Sequence, residues 1–99
     1  MYQRFELMNI IYHPRFKRDI DKVNHRVLLI ALREKIQQIE VAPGQSHITG
    51  LKLLRGYSTH YRIQVKSELH SFRIGAVIRG RTIWLIRFLS RKTIYKEFP

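Results

Sequence analysis

Residues 60–89 read HYRIQVKSELHSFRIGAVIRGRTIWLIRFL, which divides into three runs of alternating side chains separated by short turns. In the first run, Ile63 and Val65 point to the opposite side from Arg62 and Gln64. Because successive side chains of a strand point to opposite faces, this alternation predicts an antiparallel sheet with one face on a core and the other open. The open face is cationic, which suits it to phosphates and stacked bases.

The second and third runs extend the same sheet. In the second, residues 71–79, Arg73 falls among the polar positions of the alternation and so joins the open face. The third, residues 82–89, is apolar on both sides, which is typical of a strand in the interior of a sheet. Strict alternation within it places Trp84 and Phe88 on one face, and we expect both aromatic side chains to lie in the core.

The N-terminal half predicts one strand and two helices. Residues 5–12 are apolar on both faces and indicate a buried strand. Pro14 suits the first turn of a helix over residues 15–23, and Asn24 is expected to cap a second helix over residues 25–40. The core stripe of that second helix recurs at helical spacing and consists of Leu28, Leu32, Ile36 and Ile39.

The second helix has more apolar surface than one core stripe needs. Val27, Leu29 and Ile30 widen the stripe, and this extra face fits either a partner protein or burial within the domain. After the helix, residues 42–50 contain proline and glycine and predict a surface loop, whereas residues 51–54 fit either a short strand or a turn.

The predicted order of elements is β-α-α-β-β-β. It favours an α+β fold in which a small antiparallel sheet with a mixed edge carries two N-terminal helices packed on one face. The 99 residues contain no repeat, low-complexity tract or linker, so we expect a single domain over residues 1–99.

The chain has 19 Lys and Arg against 7 Asp and Glu, a formal net charge of +12. Such a charge attracts polyanions, so nucleic acid, an anionic membrane and an acidic protein are candidate partners. There is no cysteine and the five histidines follow no metal-ligand spacing, so we expect neither a metal site nor a cofactor. No apolar run approaches a membrane span and the N-terminal residues are unlike a leader peptide, so we expect a cytoplasmic protein.

The motifs for nucleotide binding and serine hydrolysis are missing from the sequence. Phosphate chemistry without a metal remains, because RNA carries its own nucleophile, the 2′-hydroxyl, beside the scissile phosphate. An enzyme then has to take the hydroxyl proton, stabilise the phosphorane and protonate the leaving 5′-oxygen. Arginines fixed on strands suit the second task, and Tyr95 suits proton transfer because nearby cations lower the pKa of a phenol.

Three segments resemble the RelE/ParE toxin superfamily of type II toxin–antitoxin systems: GLKLLRGYSTHYRIQV at residues 50–65, HSFRIGAVI at 70–78 and TIWLIRFLSRKTIYKEFP at 82–99. RelE-like members are ribosome-dependent endoribonucleases that cut mRNA in the A site without a metal and leave a 2′,3′-cyclic phosphate. ParE-like members poison DNA gyrase instead. The resemblance implies a RelE-like endoribonuclease that inhibits translation, with a ParE-like gyrase inhibitor or a non-catalytic, basic nucleic-acid-binding module as alternatives.

The resemblance also implies the site residues. Lys52 and Arg62 match basic positions that hold the RNA or activate its 2′-hydroxyl, and Arg73 matches the strand arginine that stabilises the phosphorane. Arg91 and Tyr95 match the arginine and tyrosine of the family's C-terminal ending, where the tyrosine stacks on a base or exchanges protons. Further RNA contacts are expected from four more cations: Arg55, Lys66, Lys92 and Lys96.

One position departs from the family pattern, because Ser90 stands where many relatives have a histidine before Arg91. A serine is not a general base near neutral pH, so the activity is expected either to rely on Tyr95 or Lys52 or to be weaker. The implied partners are a cognate acidic antitoxin, the ribosome and its A-site mRNA, with no membrane and no small-molecule cofactor.

Overall fold

The computed structural model describes residues 7–99. The first two residues of the predicted N-terminal strand, Phe5 and Glu6, lie outside this part. Helices and strands follow one another in the order β1 (Asn9–Tyr12), α1 (Pro14–Asp21), α2 (Arg26–Val41), β2 (Leu51–Leu53), β3 (His60–Lys66), β4 (Ser71–Arg79), β5 (Thr82–Ser90) and α3 (Arg91–Glu97), with a short 3-10 turn at Gln45–His47.

The strands form one sheet in the order β1-β5-β4-β3-β2. Neighbours from β2 to β5 pair antiparallel, whereas β1 pairs parallel with β5 at one edge. The α+β class and the mixed edge are therefore confirmed, as is the interior position of β5. The structure adds two features to the predicted order, because the segment after the loop is a short strand and the C-terminal residues form a helix.

The two N-terminal helices pack on the same face of the sheet, as the sequence predicts. Phe16 of α1 and Leu28 of α2 are fully buried there. Their partners come from the three long strands: Ile63, Val65, Ile74, Ala76, Ile83, Leu85 and Phe88. Burying one such side chain contributes about 1.5–3 kcal/mol. The predicted stripe of α2 is confirmed, with Ile36 partly buried against the core and the other three members fully covered.

The start of α2 differs from the prediction. The helix begins at Arg26, and the N-cap is His25, which makes no side-chain capping hydrogen bond. Asn24 is therefore not the cap. Val23 packs against the core and its N–H donates to the Ile20 carbonyl. These contacts fix the connection after α1, and α2 begins one residue later than predicted.

A bulge in β5 overturns the prediction for its aromatic residues. Gly75 of β4 pairs with Arg87, but the next residue of β4 pairs with Leu85, so Ile86 is an extra residue on β5. An extra residue reverses the alternation beyond it. Phe88 thus shares the core face with Leu85 and is buried, whereas Trp84 lies on the other face and is only half-buried. The expectation that Trp84 is a core residue is wrong.

Asp19 of α1 joins the helix layer to β5 just after this bulge. Its carboxylate accepts hydrogen bonds from Arg87 at 2.7 and 3.2 Å and from the Phe88 backbone N–H at 2.9 Å. Because β1 ends opposite Leu85, no strand within residues 7–99 lies beside the N–H of Phe88 on that side. The hydrogen bond to Asp19 is the main reason why the pKa of Arg87 is raised.

The C-terminal helix covers part of the opposite face of the sheet. Leu54, Ile94 and Phe98 form a small buried cluster there, with Ile86 and Leu89 packed against it. The ring of Phe98 lies directly on Gly75, where an added Cβ would be 2.6 Å from the ring. This close approach requires a glycine, and it fixes the end of α3 over the centre of the sheet.

Candidate active site

The open face of the sheet and α3 enclose a groove of about 660 Å³. Its lining contains five cations and a tyrosine: Lys52, Arg55, Arg62, Arg73, Arg91 and Tyr95. Gly50, Leu53 and Gln64 complete it, and no acidic side chain of the described chain lines it. A groove with this lining attracts oxyanions from solution.

Strand register explains how residues far apart in sequence meet in the groove. Lys52 of β2 lies opposite Arg62 of β3, and Gln64 of β3 lies opposite Arg73 of β4. Directly opposite side chains are about 4.5–5.5 Å apart at Cβ, and two like charges in such a pair repel each other. Bringing Lys52 against Arg62 therefore costs folding energy, and a bound phosphate would remove this repulsion.

Tyr95 reaches the groove from α3 and packs on Arg62. The Arg62 Cζ atom lies 4.2 Å from the centre of the ring, and the Arg91 Cζ atom lies 5.9 Å from it. Hydrogen bonding from Arg91 is the largest cause that lowers the pKa of Tyr95, and the charges of Arg91, Arg62 and Arg73 lower it further. The residue remains 53% exposed, so a ligand in the groove can contact Tyr95.

Arg73 is fixed at the start of β4. Its Nη1 donates to the Ser71 hydroxyl at 3.0 Å and to the Phe72 carbonyl at 3.1 Å. A guanidinium has five N–H donors, and within residues 7–99 the other nitrogens of Arg73 make no hydrogen bond. Arg73 is half-buried and lines the groove, so its remaining donors are left for a ligand there.

No protein-family model matches the sequence. The chain is, however, 32% identical over 97 residues to Toxin RelE3 of Methanocaldococcus jannaschii, an alignment that covers 93% of this chain and 100% of the relative. The chain belongs to the RelE toxin family. Its fold also matches a chain of the crystal structure of the RelB–RelE antitoxin–toxin complex from Methanococcus jannaschii, with a TM-score of 0.71, 27% identity and coverage of 90% of this chain and 99% of that chain. The family inferred from the sequence motifs is confirmed.

In this RelE toxin, the groove collects all five residues predicted to be catalytic, together with Arg55 at the turn after β2. The other predicted RNA-binding cations lie outside it. Lys66 lines a neighbouring cavity between α2 and β3, and Lys92 and Lys96 are exposed on α3 away from the groove lining. Their roles as RNA contacts remain predictions.

Ser90 has a structural role in the RelE toxin. Its Oγ accepts a hydrogen bond from the Thr93 N–H at 3.3 Å and donates to the Thr93 hydroxyl at 2.9 Å, so it caps the N-terminus of α3. The helix that begins there carries Arg91 and Tyr95 into the groove. The sequence contained a signal for this helix, because serine is a preferred N-cap residue.

The groove's guanidinium, ammonium and phenol groups suit oxyanions rather than metal cations. In the described part of the RelE toxin, no cluster of three or more His, Asp or Glu side chains has an arrangement that could hold a metal ion. No helix within that part is both long and apolar enough to cross a bilayer.

Proposed function

We propose that this RelE toxin cleaves mRNA on the ribosome, with the RNA 2′-hydroxyl as nucleophile and without a metal. One observation supports the proposal: five cations line a groove together with a tyrosine of lowered pKa, and no acidic side chain among the described residues lines it. Such an arrangement supplies both charge stabilisation and proton transfer to a phosphodiester.

The chemistry follows from the positions of these groups. The phenolate of Tyr95 takes the proton of the 2′-hydroxyl, and the resulting alkoxide attacks the adjacent phosphorus. Arg62 and Arg73 donate to the oxygens of the phosphorane, whose charge is greatest at this stage. The bond to the 5′-oxygen then breaks, the leaving oxygen takes up a proton, and the products are a 2′,3′-cyclic phosphate and a 5′-hydroxyl.

The leaving group in this scheme also needs a proton donor. No histidine lines the groove within the described residues, and the position before Arg91 is occupied by the capping Ser90. Lys52 lies opposite Arg62 and lines the groove, which supports assigning the protonation of the leaving oxygen to its ammonium group. Tyr95 and Lys52 thus divide the two proton transfers.

An acidic antitoxin is the expected protein partner. The related toxin crystallised as a RelB–RelE complex, and the net charge of +12 here favours an acidic binding partner. Of the extra apolar residues of α2, Val27 is 60% and Ile30 is 48% exposed. This exposure favours coverage by a partner over burial within the domain.

The test is primer extension on mRNA in a purified translation system, with the toxin added in the presence and absence of ribosomes. We expect cuts that are in register with the codons and that appear only when ribosomes are present. Arg73→Ala should reduce the cleavage rate by at least about 100-fold, because it removes transition-state donors and no core volume. Arg33→Ala is the matched control, since it removes the same charge from an exposed position on α2.

Two results would count against the proposal. One is uncut mRNA in cells whose growth the toxin has arrested. If gyrase-cleaved DNA accumulates in those cells, the target is gyrase instead. The other is an Arg73→Ala variant that still cuts as fast as the Arg33→Ala control.

A further inference from the structure

Gln64 occupies a central position in the groove that the proposed chemistry does not use. Among the described residues that line the groove, it alone carries a side-chain amide. It lies opposite Arg73 and two residues after Arg62, on the same face of β3. Any nucleotide whose phosphate contacts these two arginines therefore places a neighbouring group within reach of the amide.

The backbone of Gln64 is held by a hydrogen bond, whereas its side-chain amide has no hydrogen-bond partner among the described residues. The Gln64 N–H donates to the Gly50 carbonyl at 3.1 Å. Gly50 has a φ of 77°, and an added Cβ there would be 3.0 Å from the Gln64 Cβ, so the entry to β2 packs tightly against the stem of the side chain. Within residues 7–99, the half-buried amide itself makes no hydrogen bond.

Where the cations of the groove contact phosphates, those contacts do not distinguish one nucleotide from another. Contacts to phosphate position a nucleic acid but carry no sequence information, which comes from the edges of the bases. A side-chain amide offers a donor and an acceptor side by side, and this pair matches the N6 and N7 atoms of adenine. Single-stranded RNA exposes such edges to side chains.

The groove has room for a nucleotide on the far side of Gln64. A second cavity of about 380 Å³ lies between α2 and β3 and shares Gly50 and Gln64 with the groove. Lys66 lines this cavity as well. Gln64 therefore lies where the two cavities meet, so an RNA strand that continued from the groove into the second cavity would pass its side chain.

We infer that Gln64 is a specificity-determining residue, whose amide reads the base of a nucleotide next to the scissile phosphate. The inference rests on the proposed function. The preferred base is one that presents a neighbouring donor and acceptor, adenine first among them. The role is selection among cleavage sites and not the chemical step, since the amide neither carries charge nor exchanges protons near neutral pH.

The test compares cleavage by the wild-type toxin and by Gln64→Leu on ribosomes programmed with mRNAs that carry each of the four bases at each position of the A-site codon. We expect the wild type to prefer one base at one position next to the cut. Gln64→Leu should reduce that preference by about tenfold, because an apolar side chain cannot form the bidentate pair. The rate summed over all mRNAs should change much less than the preference.

Gln37→Leu is the matched control, because it makes the same change on the exposed surface of α2 and should keep the wild-type preference. If Gln64→Leu fails to fold, Gln64→Glu replaces it. That variant keeps the shape but has only acceptors, so its preference should move away from adenine, whose N7 needs a donor, and towards cytosine, whose N4 amino group donates to a carboxylate.

Preserved base preference in Gln64→Leu, or in Gln64→Glu if that is the folded variant, would overturn the inference and leave the proposed function intact. A wild-type toxin that cuts none of the mRNAs would overturn both. The two failures are therefore distinguishable in a single experiment.

Discussion

Replacing Gly75 with alanine is expected to displace the helix that carries Tyr95. A Cβ on residue 75 would lie 2.6, 2.8 and 2.8 Å from three atoms of the Phe98 ring. Carbon atoms in contact prefer about 3.5–4.0 Å, so the ring has to retreat by about 1 Å. Phe98 follows directly after α3, and the ring is easier to move than the paired strands β4 and β5.

The expected effects on stability and on activity differ in size. Overpacking of this kind costs about 1–3 kcal/mol of unfolding free energy, which a domain of ordinary stability survives. A shift of about 1 Å in a catalytic group, by contrast, costs about 100-fold in rate. Gly75→Ala should therefore remain folded in a thermal unfolding experiment while its mRNA cleavage rate falls by about two orders of magnitude.

The combination with Phe98→Leu tests the mechanism of this loss. The smaller side chain leaves space for the new Cβ, so the double variant should cleave faster than Gly75→Ala alone. The reasoning is refuted if Gly75→Ala cleaves at the wild-type rate, or if its structure shows Phe98 unmoved on residue 75.

Asp19→Asn removes the charge partner of Arg87 and should lower the unfolding free energy by about 3 kcal/mol, measured by urea denaturation; an unchanged midpoint would show that the pair does not stabilise the fold. In Tyr95→Phe, the increase of the cleavage rate with pH should disappear. Because neighbouring cations lower the pKa of Tyr95 from 10.0, the phenolate fraction increases with pH and the wild-type rate should rise with pH, with the midpoint of the rise below 10.0; the same rise in the variant would remove Tyr95 as the base. Ser90→Ala should cost about 1 kcal/mol through loss of the α3 cap, with faster amide exchange confined to α3, whereas Ser90→Asp should retain protection.

The sheet and its helix layer were predictable because both depend on local periodicity. Alternation in β3 and β4 placed Arg62 and Arg73 on one face, and the structure places both in the groove. The helical spacing of apolar residues in α2 predicted which of its side chains are buried, for the same reason. In each case a side chain's direction follows from its position along one element, so no knowledge of the partner element is needed.

The features that were not predicted depend on contacts between distant residues. The bulge at Ile86 is defined only by the register against β4, so the alternation of β5 alone misplaced Trp84. The pair of Asp19 and Arg87 joins residues 68 positions apart. Helix α3 buries only Ile94 fully, and a single buried position gives no periodic signal.

The contact between Asp19 and Phe88 also affects how molecules of this toxin behave towards one another. Beyond Leu85, β5 has no strand neighbour on its outer side within the described residues, and such an edge is a template for strands of other molecules. Asp19 occupies the N–H of Phe88 and places a carboxylate along that edge. A second chain would have to displace a buried ion pair before it could add a strand there. The residue that holds α1 in place therefore also protects the toxin from edge-to-edge aggregation.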